Sequence, residues 1–362
     1  MARAYNFYAG PAALPEEVIR EAQEELLDFQ GSGVSVMETS HRSKEYDAVH
    51  MGAMALTREL LGLGDDFEIL FLQGGASMQF ALVPMNLLGD GKDADYILTG
   101  DWSKKALKEA KWFGRPRIAG NTEEDGVFRR IPTADELDLD AKATYCHITS
   151  NNTIFGTQWR QFPDTGAVPL VADMSSDILS RQFDPKPFGL IYAGAQKNLG
   201  PSGAVLVAIR KDVLALCRDD LPTMFKYKTH AEKQSLFNTP PTFAVYMLYK
   251  VLCWVKRNGG VAGMEKENSA KARLIYGAID NSGGFYRNNI PAQDRSWMNV
   301  VFRLPSEDLE KKFVSEGLAN NFIGLKGHRS VGGIRVSIYN ANRLPCVQAV
   351  VAFMKDFAKK NG

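Results

Sequence analysis

Between residues 15 and 260, short apolar runs alternate with stretches of helical periodicity, and that alternation restricts the chain to few architectures. A run that is apolar at every position, rather than at every second one, reads as a parallel strand covered by helices on both faces. Residues 68–72, 94–98, 144–148, 168–172, 189–193 and 204–209 are such runs. The fold class they predict is α/β, with a mainly parallel sheet in a large domain over 15–258. A helix is expected over 243–256, and the Asn258-Gly259-Gly260 break then marks a boundary. Beyond it come a long helix over 264–280, strands at 297–302 and 333–338 and a closing helix over 345–359. These read as a smaller α+β domain. In open sheets of this class ligands gather beyond the carboxyl ends of the strands.

At 362 residues, 45% hydrophobic, the chain can bury a large core. Its 43 Lys+Arg against 42 Asp+Glu leave a net charge of +1, which gives no general surface for nucleic acid. Any anion must be recognised locally. The four cysteines, Cys146, Cys217, Cys253 and Cys346, form no C-x-x-C pair, so no zinc or redox motif is expected. The amino terminus lacks an apolar signal core and no stretch is long enough to span a bilayer. A cytoplasmic protein with no membrane partner and no metal is expected.

Lys197 stands in the turn Gly194-Ala195-Gln196-Lys197-Asn198-Leu199-Gly200 between two of the apolar runs. A lysine is a carbonyl nucleophile only when part of its amine is neutral, and partial desolvation favours that form. Asp173 closes another run 24 residues upstream. A carboxylate at the end of a buried strand is costly unless a cation meets it, and the protonated ring nitrogen of pyridoxal phosphate is such a cation. Gly74-Gly75-Ala76-Ser77 follows the first run and opens a helix, a natural phosphate cradle. It matches neither a Walker A loop nor the G-x-G-x-x-G pattern. Trp102, after the next run, offers a flat face for a pyridine ring, and Thr153 offers a hydroxyl. Taken singly, each is equally at home in an ordinary turn or core; together they describe one site. The dipeptides His41-Arg42 and His328-Arg329, with Arg335, are candidates for binding carboxylate or phosphate, because a guanidinium bonds two oxygens at once.

Several segments carry a resemblance that runs from end to end: Asn6-Phe7-Tyr8-Ala9-Gly10-Pro11, Ser40-His41-Arg42-Ser43, Gly74-Gly75-Ala76-Ser77-Met78-Gln79-Phe80, Ala172-Asp173-Met174-Ser175-Ser176, Gly194-Ala195-Gln196-Lys197-Asn198, Phe237-Asn238-Thr239-Pro240-Pro241 and Lys326-Gly327-His328-Arg329-Ser330. In these the chain resembles the phosphoserine aminotransferases, a class V branch of the fold type I pyridoxal-phosphate enzymes. The resemblance implies a seven-stranded large-domain sheet, a small domain formed by 1–14 with 259–362, and one pyridoxal 5'-phosphate per subunit held as an aldimine on Lys197. It implies that Asp173 pairs with the ring nitrogen, Trp102 stacks on the ring and Thr153 bonds its phenolic oxygen. Ala76, Ser77 and Gln196 would hold the phosphate with Asn238 and Thr239 of a neighbouring subunit, making a homodimer with shared sites. Arg335 would bind the substrate α-carboxylate, and His41, Arg42, His328 and Arg329 the phosphate or the glutamate side chain. Ser77 stands where some members carry arginine and Ala9 where some carry serine, so those two contacts do not carry over.

The activity implied is a ping-pong transamination between L-glutamate and 3-phosphooxypyruvate in serine biosynthesis, with 4-phosphohydroxy-L-threonine formation in pyridoxine biosynthesis as a second use. A class V desulfurase needs a mobile nucleophilic cysteine, and no cysteine here lies in a recognisable substrate loop. A non-catalytic pyridoxal-phosphate-binding protein would carry a separate interaction module, and none is evident in the sequence.

Overall fold

The computed structural model describes residues 3–362. At its centre is a seven-stranded sheet in the order Phe67–Leu72, Val205–Arg210, Phe188–Gly194, Leu170–Asp173, Cys146–Thr149, Asp93–Leu98, Arg115–Asn121. Val205–Arg210 alone runs against its neighbours; the remaining pairings are parallel. The expected α/β class with a mainly parallel seven-stranded sheet is what the chain forms.

Strand side chains alternate between faces, so both faces must be apolar for such a sheet to be buried. Leu70 and Leu72 pack with Phe80 and Leu107 of the helices Gly75–Leu87 and Asp101–Ala110 on one face. Ile69 and Phe71 pack on the other with Val49 and Leu252 of the helices Lys44–Leu61 and Thr242–Arg257. The six runs read from the sequence are six of the seven strands. Arg115–Asn121 was not among them, because Arg-Pro-Arg-Ile-Ala-Gly-Asn has no apolar run. It is one of the two edge strands, most of its side chains are exposed or half-buried, and with one side unpaired a proline is tolerated there.

A third apolar cluster holds Phe7, Ile275, Phe302, Phe313, Val336 and Val350. Around it lie the antiparallel pair Asn299–Phe302 and Ile334–Ser337 and the helices Glu307–Ala319 and Leu344–Asn361. The amino-terminal strand Tyr5–Asn6 pairs in parallel with Phe322–Ile323, which brings the start of the chain to this cluster. Gly260–Asp280 joins the two cores: Val261 and Met264 lie in the first, Ala272 and Ile279 in the third. Its Lys271 is fully buried and donates to the carbonyls of Ile338, Tyr339 and Asn342 at 2.8, 2.9 and 2.8 Å. The three ammonium hydrogens are thereby matched by three acceptors, which pins the segment after Ile334–Ser337 to the helix. Among the described residues no helix is long and apolar enough to cross a membrane, and no group of acidic, histidine and cysteine side chains is arranged to hold a metal.

Candidate active site

The carboxyl ends of Phe67–Leu72, Asp93–Leu98, Cys146–Thr149, Leu170–Asp173 and Phe188–Gly194 all face one edge of the sheet, because these five strands run the same way. A cavity of about 600 Å³ lies there. It receives Asp173 directly from a strand end, Lys197 from the following turn, and Trp102 from the first turn of Asp101–Ala110.

Lys197 is braced from three sides. Gln196 O accepts from Ala12 N at 2.9 Å, Asn198 Nδ2 donates to Ile178 O at 2.9 Å, and Asn198 Oδ1 accepts from Asn340 N at 3.0 Å. Gly10 crosses the lysine stem so closely that an added Cβ would lie 3.4 Å from Lys197 Cε, and its φ of +148° suits glycine. Burial pushes the Lys197 ammonium down to about 8; Arg335 reinforces that shift, while Asp173 and Asp177 oppose it. A larger share of the amine is therefore neutral at physiological pH than on a solvated lysine. Capture of pyridoxal phosphate by the cofactor-free protein should accelerate about tenfold from pH 7 to pH 9 and level off above pH 8, because the neutral fraction saturates once pH passes the pKa. A hundredfold rise with no plateau, read from the imine absorbance, would show an ordinary lysine.

Asp173 is buried, and desolvation raises its carboxyl above the usual range. Ser175 and Lys197 pull it back: Ser175 N donates to Asp173 Oδ1 at 2.9 Å, while Ser175 Oγ accepts from Gly194 N at 3.0 Å. Ser175 thus ties the aspartate to the strand that precedes Lys197. The sequence pattern Asp-x-Ser carried that signal, since an Asp side chain commonly accepts from the amide two residues on.

Three features fit pyridoxal phosphate. The buried Asp173 carboxylate in the cavity lining suits a cationic ring nitrogen. The helix Gly75–Leu87 begins at the cavity, leaving the N–H groups of Gly75, Ala76 and Ser77 without intrahelical acceptors, and those amides at the positive helix end suit a phosphate. Gly74, at φ +80°, makes the turn possible; a Cβ there would lie 2.5 Å from Met78 Cβ. Finally, Trp102 Nε1 donates to Thr153 Oγ1 at 3.1 Å, which fixes the indole plane at the cavity wall.

Arg335 reaches the same cavity from the strand Ile334–Ser337. One guanidinium nitrogen donates to Thr153 O at 2.9 Å, and its buried Nε has no partner, so it offers a donor to an incoming anion. Burial lowers its pKa. His328 lines the cavity with its Nδ1 against Ser330 Oγ at 2.7 Å.

Of the residues expected from the sequence, the fold brings Ala76, Ser77, Trp102, Thr153, Asp173, Gln196, Lys197, His328 and Arg335 to this cavity. His41, Arg42, Arg329, Asn238 and Thr239 do not line it within one chain. Arg42 and Arg329 are exposed, and His41 keeps a buried Nε2 without a partner. Asn238 lines a separate cleft with Gln73 and Met78, and Gln73 Nε2 lies 3.5 Å from Thr239 O. Asp177 was not foreseen. It is buried beneath the site, where it accepts from Ser150 Oγ and from Gln158 Nε2 at 3.0 Å. No sequence signal separates it from an ordinary helix-turn aspartate.

An α/β chain with a lysine, a buried aspartate and a helix amino terminus converging at the sheet edge has the makings of a pyridoxal-phosphate-dependent transferase. The Aminotransferase class-V family model matches residues 4–350, and the chain belongs to that family. It is a pyridoxal-phosphate-dependent aminotransferase. In particular, it is 56% identical over 359 residues to the phosphoserine aminotransferase of Lysinibacillus sphaericus, covering 99% of each chain. The structure of the phosphoserine aminotransferase of Bacillus circulans subsp. alkalophilus superposes with a TM-score of 0.97 at 52% identity, covering 99% of each chain. That of the pyridoxal-phosphate-bound phosphoserine aminotransferase of Trichomonas vaginalis superposes with a TM-score of 0.92 at 40% identity, covering 98% of this chain and 100% of that one.

Proposed function

We propose that this chain transfers the amino group of L-glutamate to 3-phosphooxypyruvate, giving 2-oxoglutarate and O-phospho-L-serine in serine biosynthesis, and also forms 4-phosphohydroxy-L-threonine for pyridoxine biosynthesis. The observation that carries the reading is the make-up of one cavity: a buried amine and a buried carboxylate line it together with an under-bonded arginine and a histidine. The names of the full-length relatives point the same way.

When bound, pyridoxal phosphate supplies an electron sink for the pair left behind as the substrate's Cα–H bond breaks. The protein does the rest. Ala76, Ser77 and Gln196 would hold the phosphate, Trp102 would support the ring face and Thr153 would bond the phenolic oxygen. Asp173 would keep a proton on the ring nitrogen. Arg335 orients the substrate by its α-carboxylate, so that Cα–H points toward Lys197. Lys197 Nζ would take that proton and later give it back, acting as base and then as acid.

Asn238, Thr239, His41 and Arg42 enter the site from a second copy of the chain, which makes the working unit a homodimer. The large domain over 15–258 carries the cofactor, and 1–14 with 259–362 form the small domain that delivers Arg335 and His328. The same reading places the enzyme in the cytoplasm. Glutamate and 3-phosphooxypyruvate should yield phosphoserine and 2-oxoglutarate in equal amounts, from a particle sedimenting at twice the 40.1 kDa chain mass. Sulfide release from cysteine, or a monomer with full activity, would contradict it.

A further inference from the structure

A second cavity, of about 430 Å³, shares its walls with the active-site cavity. Ile154 lines both. It follows Thr153, whose carbonyl accepts from Arg335 and whose hydroxyl accepts from Trp102. The strand Ile334–Ser337 is a second shared wall, since successive side chains of a strand face opposite sides: Ile334 lines the second cavity and Arg335 the first. The loop after His328 is the third. Ser330, Val331 and Gly332 line the second cavity, while His328, held by Ser330 Oγ at 2.7 Å, lines the first. The lining of the second cavity has an apolar part and a charged part. Phe128, Phe155, Ile290, Phe302 and Ile334 are buried around it, and the Phe128 and Phe155 rings meet edge to face with centroids 5.3 Å apart. Such a wall favours a flat apolar body. The cations are Arg129, Arg287 and Arg303. Arg303 is engaged, donating through Nε to Glu310 Oε1 at 2.6 Å and through Nη1 to Val331 O at 2.9 Å. Arg129 pairs with no carboxylate among the described residues, whereas Arg130 beside it is held by Glu136 at 2.6 Å. Arg287 likewise forms no ion pair there; its Nη2 donates to Leu304 O at 3.1 Å, which leaves its other N–H groups open. Asp125 is the one carboxylate in the lining, and it pairs with neither.

We propose that this second cavity binds a small aromatic carboxylate, its ring against Phe128 and Phe155 and its charge met by Arg129 and Arg287, and that its occupation weakens substrate binding in the active-site cavity. A guanidinium fork bonds both oxygens of a carboxylate, and an aromatic body leaves no polar group unpaired on the apolar wall. The coupling runs through the shared walls. A ring in the second cavity presses on Ile154, on Ile334 and on the Ser330–Gly332 loop, the three segments that carry Thr153, Arg335 and His328 in the first. By linkage, glutamate weakens the aromatic carboxylate by the same factor. None of this depends on which acceptor the enzyme uses.

The test titrates the holoenzyme calorimetrically with 2-naphthoate. The wild type should bind one molecule per chain, and the R129Q/R287Q variant should bind it about thirtyfold more weakly while its glutamate half-reaction stays within about twofold of wild type. R129K/R287K should recover only part of the loss, because an ammonium keeps the charge without the fork. The uncharged 2-naphthylmethanol should bind the wild type at least about tenfold more weakly than 2-naphthoate does. In the glutamate half-reaction, 2-naphthoate should raise the half-saturating glutamate concentration to a plateau of about fivefold, and R129Q/R287Q should lose that effect at the same 2-naphthoate concentration. A carboxylate seated on Arg335 would instead raise it without limit and would do so equally in the variant; that result would overturn the proposal. Equal affinity of the wild type and R129Q/R287Q for 2-naphthoate, or equal affinity for the acid and the alcohol, would overturn it as well.

Discussion

Lys197→Ala is expected to lower turnover by roughly 10⁴-fold, the upper part of the range for a positioned proton-transfer group. The size of the effect follows from the two jobs one side chain performs. Among the described residues its amine is the only lysine amine lining the cavity, and burial holds it near a pKa of about 8, where it can serve both as nucleophile and as proton carrier. No neighbour can take over: the closest cations named around it, Arg335 above all, stay protonated and cannot accept the Cα proton. The variant should still bind pyridoxal phosphate, since the helix amino terminus at Gly75 and the Asp173 carboxylate are untouched, but its visible spectrum should shift from that of an imine to that of the free aldehyde. Lys197→Arg, which keeps the charge without a usable amine, should be equally inactive. Retention of the imine absorbance with normal rates would place the chemistry on another residue.

Asp173→Asn is expected to cost roughly 10³-fold in kcat, comparable to removing one preorganised electrostatic group from other active sites. The carboxylate sits at the end of a buried strand, and its environment is arranged around its charge: Ser175 N–H and the Lys197 ammonium both favour the ionised form against the desolvation that raises its pKa. An amide keeps the shape and can keep the Ser175 bond, but it supplies no negative charge to hold a proton on the ring nitrogen. The cofactor should remain bound in part, and the loss should appear in kcat rather than in KM for either substrate. Normal kcat in this variant would refute the electronic role.

Most of the sheet was legible because parallel strands buried on both faces are apolar at every position. Arg115–Asn121, at one edge, was not legible because most of its side chains are exposed or half-buried and need not be apolar, whereas Phe67–Leu72 at the other edge is buried and reads as an apolar run. The helix Gly260–Asp280 was legible as a helix, but not as the piece shared by two cores; packing of its two ends against different clusters leaves no mark on local periodicity. At the site, Lys197, Asp173 and the Gly74–Ser77 turn could be argued from burial and helix-end physics alone. Trp102 and Thr153 were weak as single residues, and their hydrogen bond, which links positions fifty-one apart in sequence, emerges only from the fold. Asn238, Thr239, His41 and Arg42 stand outside the cavity of a single chain; the homodimer proposed above would bring them to it from a second copy.

The most direct test of the account separates the two halves of the reaction. Glutamate added to the purified holoenzyme, with no acceptor present, should convert the imine spectrum to that of the aminated cofactor and release one 2-oxoglutarate per site; 3-phosphooxypyruvate added next should restore the first spectrum and release phosphoserine. Conversion by glutamate without reversal would leave an aminotransferase with the wrong acceptor, and no spectral change with glutamate would contradict the central claim.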